Sequence, residues 1–247
     1  MIEFTMELAS HAVAVRAFFE SSRAYCRDHL TRRAPEATVE ISREDLIRER
    51  ELYARNEGSE GLSAGALPDA QLEITAIQRK VARILFDWDI LLFHGSVVAV
   101  DGVAYLFTAK SGTGKSTHTR LWRELLGQRA VMVNDDKPFL QITKDGALVS
   151  GSPWNGKHRL SANISVPLQA ICLLERGERN EIERIRPREA LPALLQQSSR
   201  PEDGRRLPAY MELLDRLSGL VPFYRLRCNM EPEAATVSYE AMSNRKI

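Results

Sequence analysis

A glycine-rich segment at residues 109–117 has the composition needed to bind phosphate, since it reads Ala-Lys-Ser-Gly-Thr-Gly-Lys-Ser-Thr. Gly112 and Gly114 let the backbone curl so that successive N–H groups point inward and form an anion-binding nest. An apolar stretch at residues 104–108 precedes the segment and a helical pattern follows it, which is the strand–loop–helix context of nucleotide binding. We therefore expect the nucleotide to contact Lys110, Ser111, Gly112, Thr113, Gly114, Lys115, Ser116 and Thr117.

Two residues of this segment have specific predicted roles toward ATP and Mg²⁺. The ammonium of Lys115 should reach the β- and γ-phosphates, and the hydroxyl of Ser116 should ligate the metal. One position departs from the pattern G-x-x-x-x-G-K-[ST], because Ala109 stands where the pattern has glycine. Alanine is acceptable there if the backbone does not need a positive φ. The alternative is a glycine-rich turn that matches by chance, which the flanking strand and helix disfavour.

Paired carboxylates, Asp135 and Asp136, follow an apolar strand pattern at residues 130–134. Beside a phosphate site, one carboxylate can hold magnesium while the other accepts a proton from an attacking hydroxyl. Mutual repulsion should raise the pKa of one of them. Successive side chains of a strand point to opposite faces, so both serve one site only if the chain bends there. The alternative is a turn in which aspartate hydrogen-bonds its own backbone and Pro138 ends the strand.

Further candidates lie on either side of these motifs. His94 precedes the phosphate segment by one predicted hairpin and could reach the γ-phosphate, or it could be structural. Residues 151–159 form an irregular segment whose Lys157 and Arg159 can neutralise charge on a transferring phosphoryl group. A basic surface loop is the alternative for that segment.

The elements that position these residues indicate a mixed sheet. Asp101-Gly102 separates two β-rich runs at residues 96–100 and 103–108, and this dipeptide favours a type I′ hairpin turn. The strand that enters the phosphate segment should therefore pair antiparallel with the strand before it. We predict an α/β (α+β) fold with further strands at residues 130–134, 139–143, 147–150, 166–174, 181–186 and 223–228, and helices at 116–126, 187–197, 207–217 and 232–242.

The chain is expected to divide into a small α+β appendage at residues 1–70 and a main domain at 71–247. In the appendage we predict a strand at 3–8, a helix at 12–30 and a charged helix at 43–56. A run rich in Gly, Ser and Ala at 58–68 is the predicted linker. An amphipathic helix at 71–89 should open the main domain.

Composition excludes several classes of function. Basic and acidic residues number 34 and 33, so a broad basic face for nucleic acid is not expected. No stretch reaches the roughly 18 apolar residues of a membrane span, and an acidic N-terminus argues against a signal peptide. Three scattered cysteines disfavour a disulfide framework or structural zinc, and we expect a cytoplasmic protein.

Taken together, Phe93-His94-Gly95, the hairpin, residues 110–116 and Asn134-Asp-Asp136 resemble the catalytic core of HPr kinase/phosphorylase and its relatives. The resemblance covers residues 94–136 with specific motifs and extends loosely to about residue 240. It implies the phosphoenolpyruvate-carboxykinase-like P-loop fold and an ATP- and magnesium-dependent phosphotransferase. It implies that Lys115 and Ser116 bind nucleotide and metal, that Asp135 and Asp136 supply the base and a metal contact, and that His94 lies at the active site.

Departures from the family limit what the resemblance implies. The family's Gly-Gly-Gly-Arg-type signature is missing, and residues 151–159 stand in its place. HPr as substrate and the reverse phosphorylase reaction are therefore not carried over. The chain is more similar to HPr-kinase-like bacterial proteins, some of which modify ribosomally made peptides. The expected acceptor is a hydroxyl group, and a peptide or protein serine and a small metabolite both stay open. A carboxykinase acting on a small carboxylic acid, a non-catalytic ATP sensor or scaffold, and a homo-oligomer that completes the active site all stay open.

Overall fold

The computed structural model describes residues 1–56 and 67–247, which form two compact units, Met1–Asp87 and Trp88–Ile247. The predicted linker at residues 58–68 lies almost wholly outside the described residues. No helix in the described residues is long and apolar enough to cross a membrane.

The first unit contains a sheet in the order β1 (Ile2–Leu8), β2 (His11–Ala17) and β3 (Ala37–Glu40). β1 and β2 form an antiparallel hairpin, while β3 pairs parallel to β2. The predicted strand at residues 3–8 is confirmed, but the predicted helix at 12–30 is wrong over its first half. Alternating Ala and Val residues of β2 pair with β1 along its whole length, and this tertiary pairing outweighs the helical tendency of alanine. Only α1 (Glu20–Tyr25) and a short helical turn follow it.

Two longer helices complete the first unit. α2 (Arg43–Asn56) is confirmed, and it begins with a reciprocal cap in which Ser42 N donates to Asp45 Oδ2 and Asp45 N donates to Ser42 Oγ. α3 (Asp69–Phe86) matches the predicted amphipathic helix but belongs to this unit, whereas the sequence analysis placed it in the second domain. Its fully buried Glu73 accepts a 2.6 Å hydrogen bond from Phe18 N, which ties α3 to the end of β2.

The second unit is built on one mixed sheet whose strands agree with the predicted pattern to within a few residues. Its main path runs in the order β4-β8-β9-β10-β6-β5-β7, and β12 and β11 continue from β10. The strands are β4 (Ile90–Leu92), β5 (Ser96–Val100), β6 (Val103–Thr108), β7 (Ala130–Asn134), β8 (Phe139–Ile142), β9 (Ala147–Ser150), β10 (Ser165–Arg176), β11 (Glu181–Ile185) and β12 (Phe223–Cys228).

The predicted hairpin between β5 and β6 is confirmed. Its turn residues Asp101 and Gly102 have φ of 51° and 86°, as a type I′ turn requires. β6 is antiparallel to β5 on one side and parallel to β10 on the other. The strand that enters the glycine-rich segment is therefore part of a mixed sheet.

The helices of the second unit are α4 (Lys115–Leu126), α5 (Pro187–Gln197), α6 (Leu207–Leu220) and α7 (Glu233–Ser243). An aromatic core holds α4 and α7 against the sheet. Trp122 of α4 is fully buried, with its ring centroid 5.1 Å from that of Phe107 on β6 and 5.4 Å from that of Tyr239 on α7. This packing fixes the start of α4 relative to the end of β6, where the glycine-rich segment lies.

Candidate functional site

The glycine-rich segment connects β6 to α4 through two residues in the left-handed region. Gly112 has φ of +75° and Gly114 has φ of +120°, conformations that L side chains rarely adopt. Open space surrounds both positions, so backbone conformation rather than crowding favours glycine there. Gly114 is the N-cap of α4 and supplies no side-chain hydrogen bond to the first turn. The first-turn N–H groups of α4 are thus available to an anion.

Lys115 is folded back over this segment. Its ammonium donates a 3.1 Å hydrogen bond to the carbonyl of Ala109, and the residue is only 8% exposed. Burial lowers the pKa of Lys115, and the carboxylate of Asp136 opposes that shift. Ala109 is not among the residues with positive φ, so the one irregular position of the motif tolerates a Cβ.

A bend directly after β7 brings both aspartates of the pair to the same region. The fully buried Asn134 makes this bend, because its Oδ1 accepts hydrogen bonds from Asp136 N (2.8 Å) and Lys137 N (2.7 Å). Its Nδ2 donates to Ser152 at 3.1 Å, which anchors the side chain. A bend is required if both aspartates serve one site, and Asn134 is the residue that makes it.

Asp135 is connected to α4 by two hydroxyl groups. Ser96 Oγ donates to Asp135 Oδ1 at 2.7 Å and lies 2.8 Å from Thr119 Oγ1. All three residues are buried, with Asp135 6% exposed. Ser96 and Thr119 were not predicted as site residues, since neither stands in a recognisable motif.

Asp136 lies against His94, the histidine predicted to lie near the phosphate segment. The distance from His94 Nε2 to Asp136 Oδ1 is 3.3 Å. The backbone N–H of His94 donates to Gln197 O at 2.7 Å, and the N–H of Gly95 donates to Asp136 O at 3.0 Å. These bonds hold the residue before β5 beside the bend that follows β7.

The electrostatics of this pair follow from burial. Burial and the charges of Lys137 and Lys115 lower the pKa of His94 to about 4, so its imidazole is neutral near pH 7. Burial raises the pKa of Asp136, with Lys137 and Lys115 opposing and Asp135 adding to the rise. The direction agrees with the prediction that one of the paired aspartates is a stronger base. The main cause is desolvation rather than the neighbouring carboxylate.

Lys137 was missed by the sequence analysis, although it directly follows the paired carboxylates. Its side chain is partly buried, and burial lowers the pKa of its ammonium while Asp136 opposes the shift. A basic residue immediately after two acidic ones was the only signal in the sequence, and it resembles an ordinary surface charge.

The irregular segment at residues 151–159 approaches the bend at one point. A Cβ placed on Gly156 would lie 3.2 Å from the Cβ of Asp136, so this glycine is required by a close approach as well as by its φ of +69°. Trp154 is 5% exposed and packs edge-on against Phe139, as part of the core. Lys157 and Arg159 lie exposed on the turn after Gly156, and their roles in phosphoryl transfer stay predictions.

A cleft of about 450 Å³ borders the glycine-rich segment. Its walls come from the segment itself, from one face of α4, and from the ends of β10 and β12, and they include Gly112, Thr117, Leu121, Leu174, Cys228 and Met230. Arg176 braces the segment by donating a 2.7 Å hydrogen bond to Gly112 O. The cleft could not be predicted, because it depends on the parallel pairing of β10 with β12.

The residues predicted to ligate a magnesium ion are of types that suit this metal when phosphate shares it. The candidate ligands are the Ser116 hydroxyl and the carboxylates of Asp135 and Asp136. Within residues 1–56 and 67–247, no group of three or more His, Cys, Asp or Glu side chains is arranged to hold a metal by itself. Mg²⁺ commonly uses one or two carboxylates plus phosphate oxygens and water, so a small donor set of this type suits it.

Comparisons with known proteins add little to this geometry. No family model matches the chain. No curated protein matches it in sequence. Among solved structures, the chain is similar to the HPr(Ser) kinase/phosphatase from Coxiella burnetii, with 13% identity and a TM-score of 0.37 over 62% of this chain and 97% of that chain. A likeness at this level does not establish a shared activity.

Proposed function

We propose that this protein is an ATP- and magnesium-dependent kinase of the HPr-kinase-like class, which transfers the γ-phosphoryl group to a hydroxyl. The observation that supports this most strongly is the convergence of three features. The left-handed glycines before α4, the buried ammonium of Lys115 and the paired carboxylates after β7 all meet at one end of the mixed sheet. Phosphoryl transfer needs little more than such positioning and charge stabilisation.

The nucleotide would bind along the glycine-rich segment. Its phosphates would accept hydrogen bonds from the backbone at Gly112 to Gly114 and from the start of α4, with Lys115 exchanging its contact to Ala109 O for a phosphate oxygen. The cleft beside Thr117 and Cys228 would hold the nucleoside, since it is continuous with the segment and partly apolar.

Magnesium would be held by Ser116 and Asp135, and when bound it would neutralise charge that develops on the phosphate oxygens. The hydrogen bond from Ser96 orients Asp135, as is usual for a carboxylate that ligates a metal. Asp136 is better suited to be the base, because its raised pKa increases its affinity for a proton.

In the transfer step, the acceptor hydroxyl oxygen forms a bond to the γ-phosphorus and the bond to the β-phosphate oxygen breaks, which releases ADP. The hydroxyl proton passes to Asp136. His94, neutral and 3.3 Å from Asp136, can exchange that proton with solvent or hold the carboxylate in place. Lys115 and the backbone nest stabilise the charge on the phosphoryl oxygens.

The acceptor is proposed to be a small metabolite or a peptide serine, and a labelling experiment tests the proposal. The protein is incubated with Mg²⁺, γ-labelled ATP and a fractionated extract of metabolites and peptides. Label should move to a component of one fraction with the wild-type protein but not with Asp136→Asn. Asp145→Asn, a change at an 83% exposed carboxylate in the β8–β9 turn, is the matched control and should transfer normally. ATP binding without transfer in any fraction would contradict the kinase assignment and favour a sensor or scaffold.

A further inference from the structure

We infer that Lys137 is a second phosphate-binding lysine, which contacts the γ-phosphoryl group together with Lys115. This inference rests on the proposed function and deepens it. It assigns to Lys137 the recognition of a nucleoside triphosphate over a diphosphate.

The backbone of Lys137 is fixed on both sides. Its N–H donates to Asn134 Oδ1 at 2.7 Å and to Trp154 O at 3.1 Å. Its carbonyl accepts a 2.6 Å hydrogen bond from Ser152 Oγ. Because Asn134 also holds Asp136, the lysine has a fixed position one residue beyond the proposed base.

The ammonium of Lys137 has no structural role within the described residues that accounts for its position. Across the described parts of the chain its ammonium makes no hydrogen bond, although its side chain is partly buried and the charge of Asp136 acts on it. A partly buried ammonium that makes no hydrogen bond is incompletely compensated, and binding an anion relieves that cost. Lys115, in contrast, already donates to Ala109 O, and Asp136 already lies against His94.

Charge balance favours the same conclusion. Lys115 and Lys137 together offset the charges of Asp135 and Asp136, which act on both lysines or on one of them. Without Lys137 the cluster would present a net negative charge to magnesium-bound ATP, which is itself an anion. Lys157 and Arg159 lie on the exposed turn, where solvent screens their charge. Lys137 is thus the better-placed cation for the transferred group.

If Lys137 contacts the γ-phosphate, the protein should bind Mg·ATP more tightly than Mg·ADP. The nest and Lys115 can hold the α- and β-phosphates of either nucleotide, whereas Lys137 lies with Asp136, where the acceptor hydroxyl must approach the γ-phosphate. Removing the Lys137 charge should weaken Mg·ATP much more than Mg·ADP.

Isothermal titration calorimetry with Mg·ATP and with Mg·ADP tests this inference on the full chain. We compare the wild type with Lys137→Met, Lys137→Arg and the control Lys144→Met, whose side chain is 90% exposed in the β8–β9 turn. Lys137→Met should raise the Kd for Mg·ATP by about 10- to 100-fold, as expected for one charge-assisted hydrogen bond, and the Kd for Mg·ADP by less than about threefold. Lys137→Arg should recover part of the loss, and Lys144→Met should match the wild type.

The outcomes separate this inference from the proposed function. If wild-type protein binds Mg·ATP but Lys137→Met weakens both nucleotides equally or neither, the role of Lys137 is rejected and the kinase proposal stands. If the wild type binds neither nucleotide, the proposed function fails, and this inference with it. Thermal unfolding checks that each variant folds. If Lys137→Met does not fold, Lys137→Gln replaces it in the same titrations.

Discussion

Ser96 donates a 2.7 Å hydrogen bond to a carboxylate oxygen of Asp135. Since the single hydroxyl proton of Ser96 is used in that bond, Ser96 Oγ is the acceptor in its 2.8 Å contact with Thr119 Oγ1, whose hydroxyl also lies 3.3 Å from the carbonyls of Lys115 and Ser116. These hydrogen-bonded hydroxyl groups connect α4, through the first residue of β5, to the carboxylate that follows β7. They join the helix that begins with Lys115 to the carboxylate proposed to ligate magnesium.

Replacing Ser96 by alanine should therefore slow phosphoryl transfer more than it weakens nucleotide binding. Loss of one hydrogen bond to a charged group is worth about 1.5–3 kcal/mol, so we expect kcat to fall by roughly 10- to 100-fold. Transfer of label from ATP measures kcat, and calorimetry measures the Kd. Ser218→Ala, which removes an exposed hydroxyl of α6, is the control. Unchanged turnover in Ser96→Ala would contradict a role for this hydrogen bond.

Substitution of either paired aspartate should affect turnover much more than ATP binding. Asp135→Asn and Asp136→Asn keep side-chain shape but remove a negative charge that a metal ligand or a base requires. We expect both variants to bind ATP within about tenfold of the wild type and to lose at least about a hundredfold in turnover, the range of a positioned base. If turnover survived in both variants, neither aspartate could be the base or an essential metal ligand.

The native cysteines provide a probe of the cleft. Cys26 and Cys172 are 2% and 0% exposed, whereas Cys228 is partly exposed and lines the cleft beside the glycine-rich segment. Burial raises the pKa of the Cys228 thiol, so alkylation is best followed near about pH 8.5 to 9, where more thiolate is present.

Bound nucleotide should protect Cys228. At Mg·ATP concentrations of about ten times the Kd, alkylation of Cys228 should slow by about tenfold, because only the free protein reacts. Mass spectrometry of the labelled peptide measures the rate, and Cys228→Ser shows whether the label is specific. Equal rates with and without saturating nucleotide would place the nucleoside outside this cleft.

The stability of the protein should fall at acid pH because of a buried histidine. His118 is 3% exposed, its Nε2 lies 3.0 Å from Ser238 Oγ, and burial lowers its pKa to about 4. In the unfolded chain a histidine has a pKa of about 6.5. Between these values the unfolded state binds more protons, so the stabilisation is complete above about pH 6.5 and is lost as pH falls toward about 4.

Thermal unfolding between about pH 7 and pH 4.5 measures this loss, which is of the order of 2–3 kcal/mol for His118 alone. His118→Gln keeps a polar group near Ser238 but removes the titration. The variant should start less stable and then lose less stability over the same pH range. A slope equal to that of the wild type would show that His118 does not carry the acid sensitivity.

Local patterns predicted most of the second unit. The Asp101-Gly102 turn, the β-rich runs and the helix after Gly114 each carry their signal within a few residues, and the structure has the corresponding elements. The failure at residues 12–30 has a different origin. The pairing of β2 with β1 is tertiary, and alanine-rich sequence alone does not reveal it.

The candidate site was predictable where a residue belongs to a motif and not otherwise. Lys115, Asp135 and Asp136 stand in recognisable sequence contexts. Lys137 and Arg176 do not, because their roles depend on which strand ends lie together. Arg176 reaches Gly112 because β10 pairs parallel to β6, and these two strands are far apart in the chain.

Titration of Mg·ATP into wild-type and Lys115→Ala protein measures whether Lys115 and the glycine-rich segment bind ATP. We expect saturable binding at one site per chain in the wild type and in Lys144→Ala, and a Kd at least about a hundredfold higher in Lys115→Ala, as expected when a buried charged contact is removed. Wild-type protein that does not bind Mg·ATP, or a Lys115→Ala variant that binds it equally well, would contradict ATP binding by Lys115 and this segment.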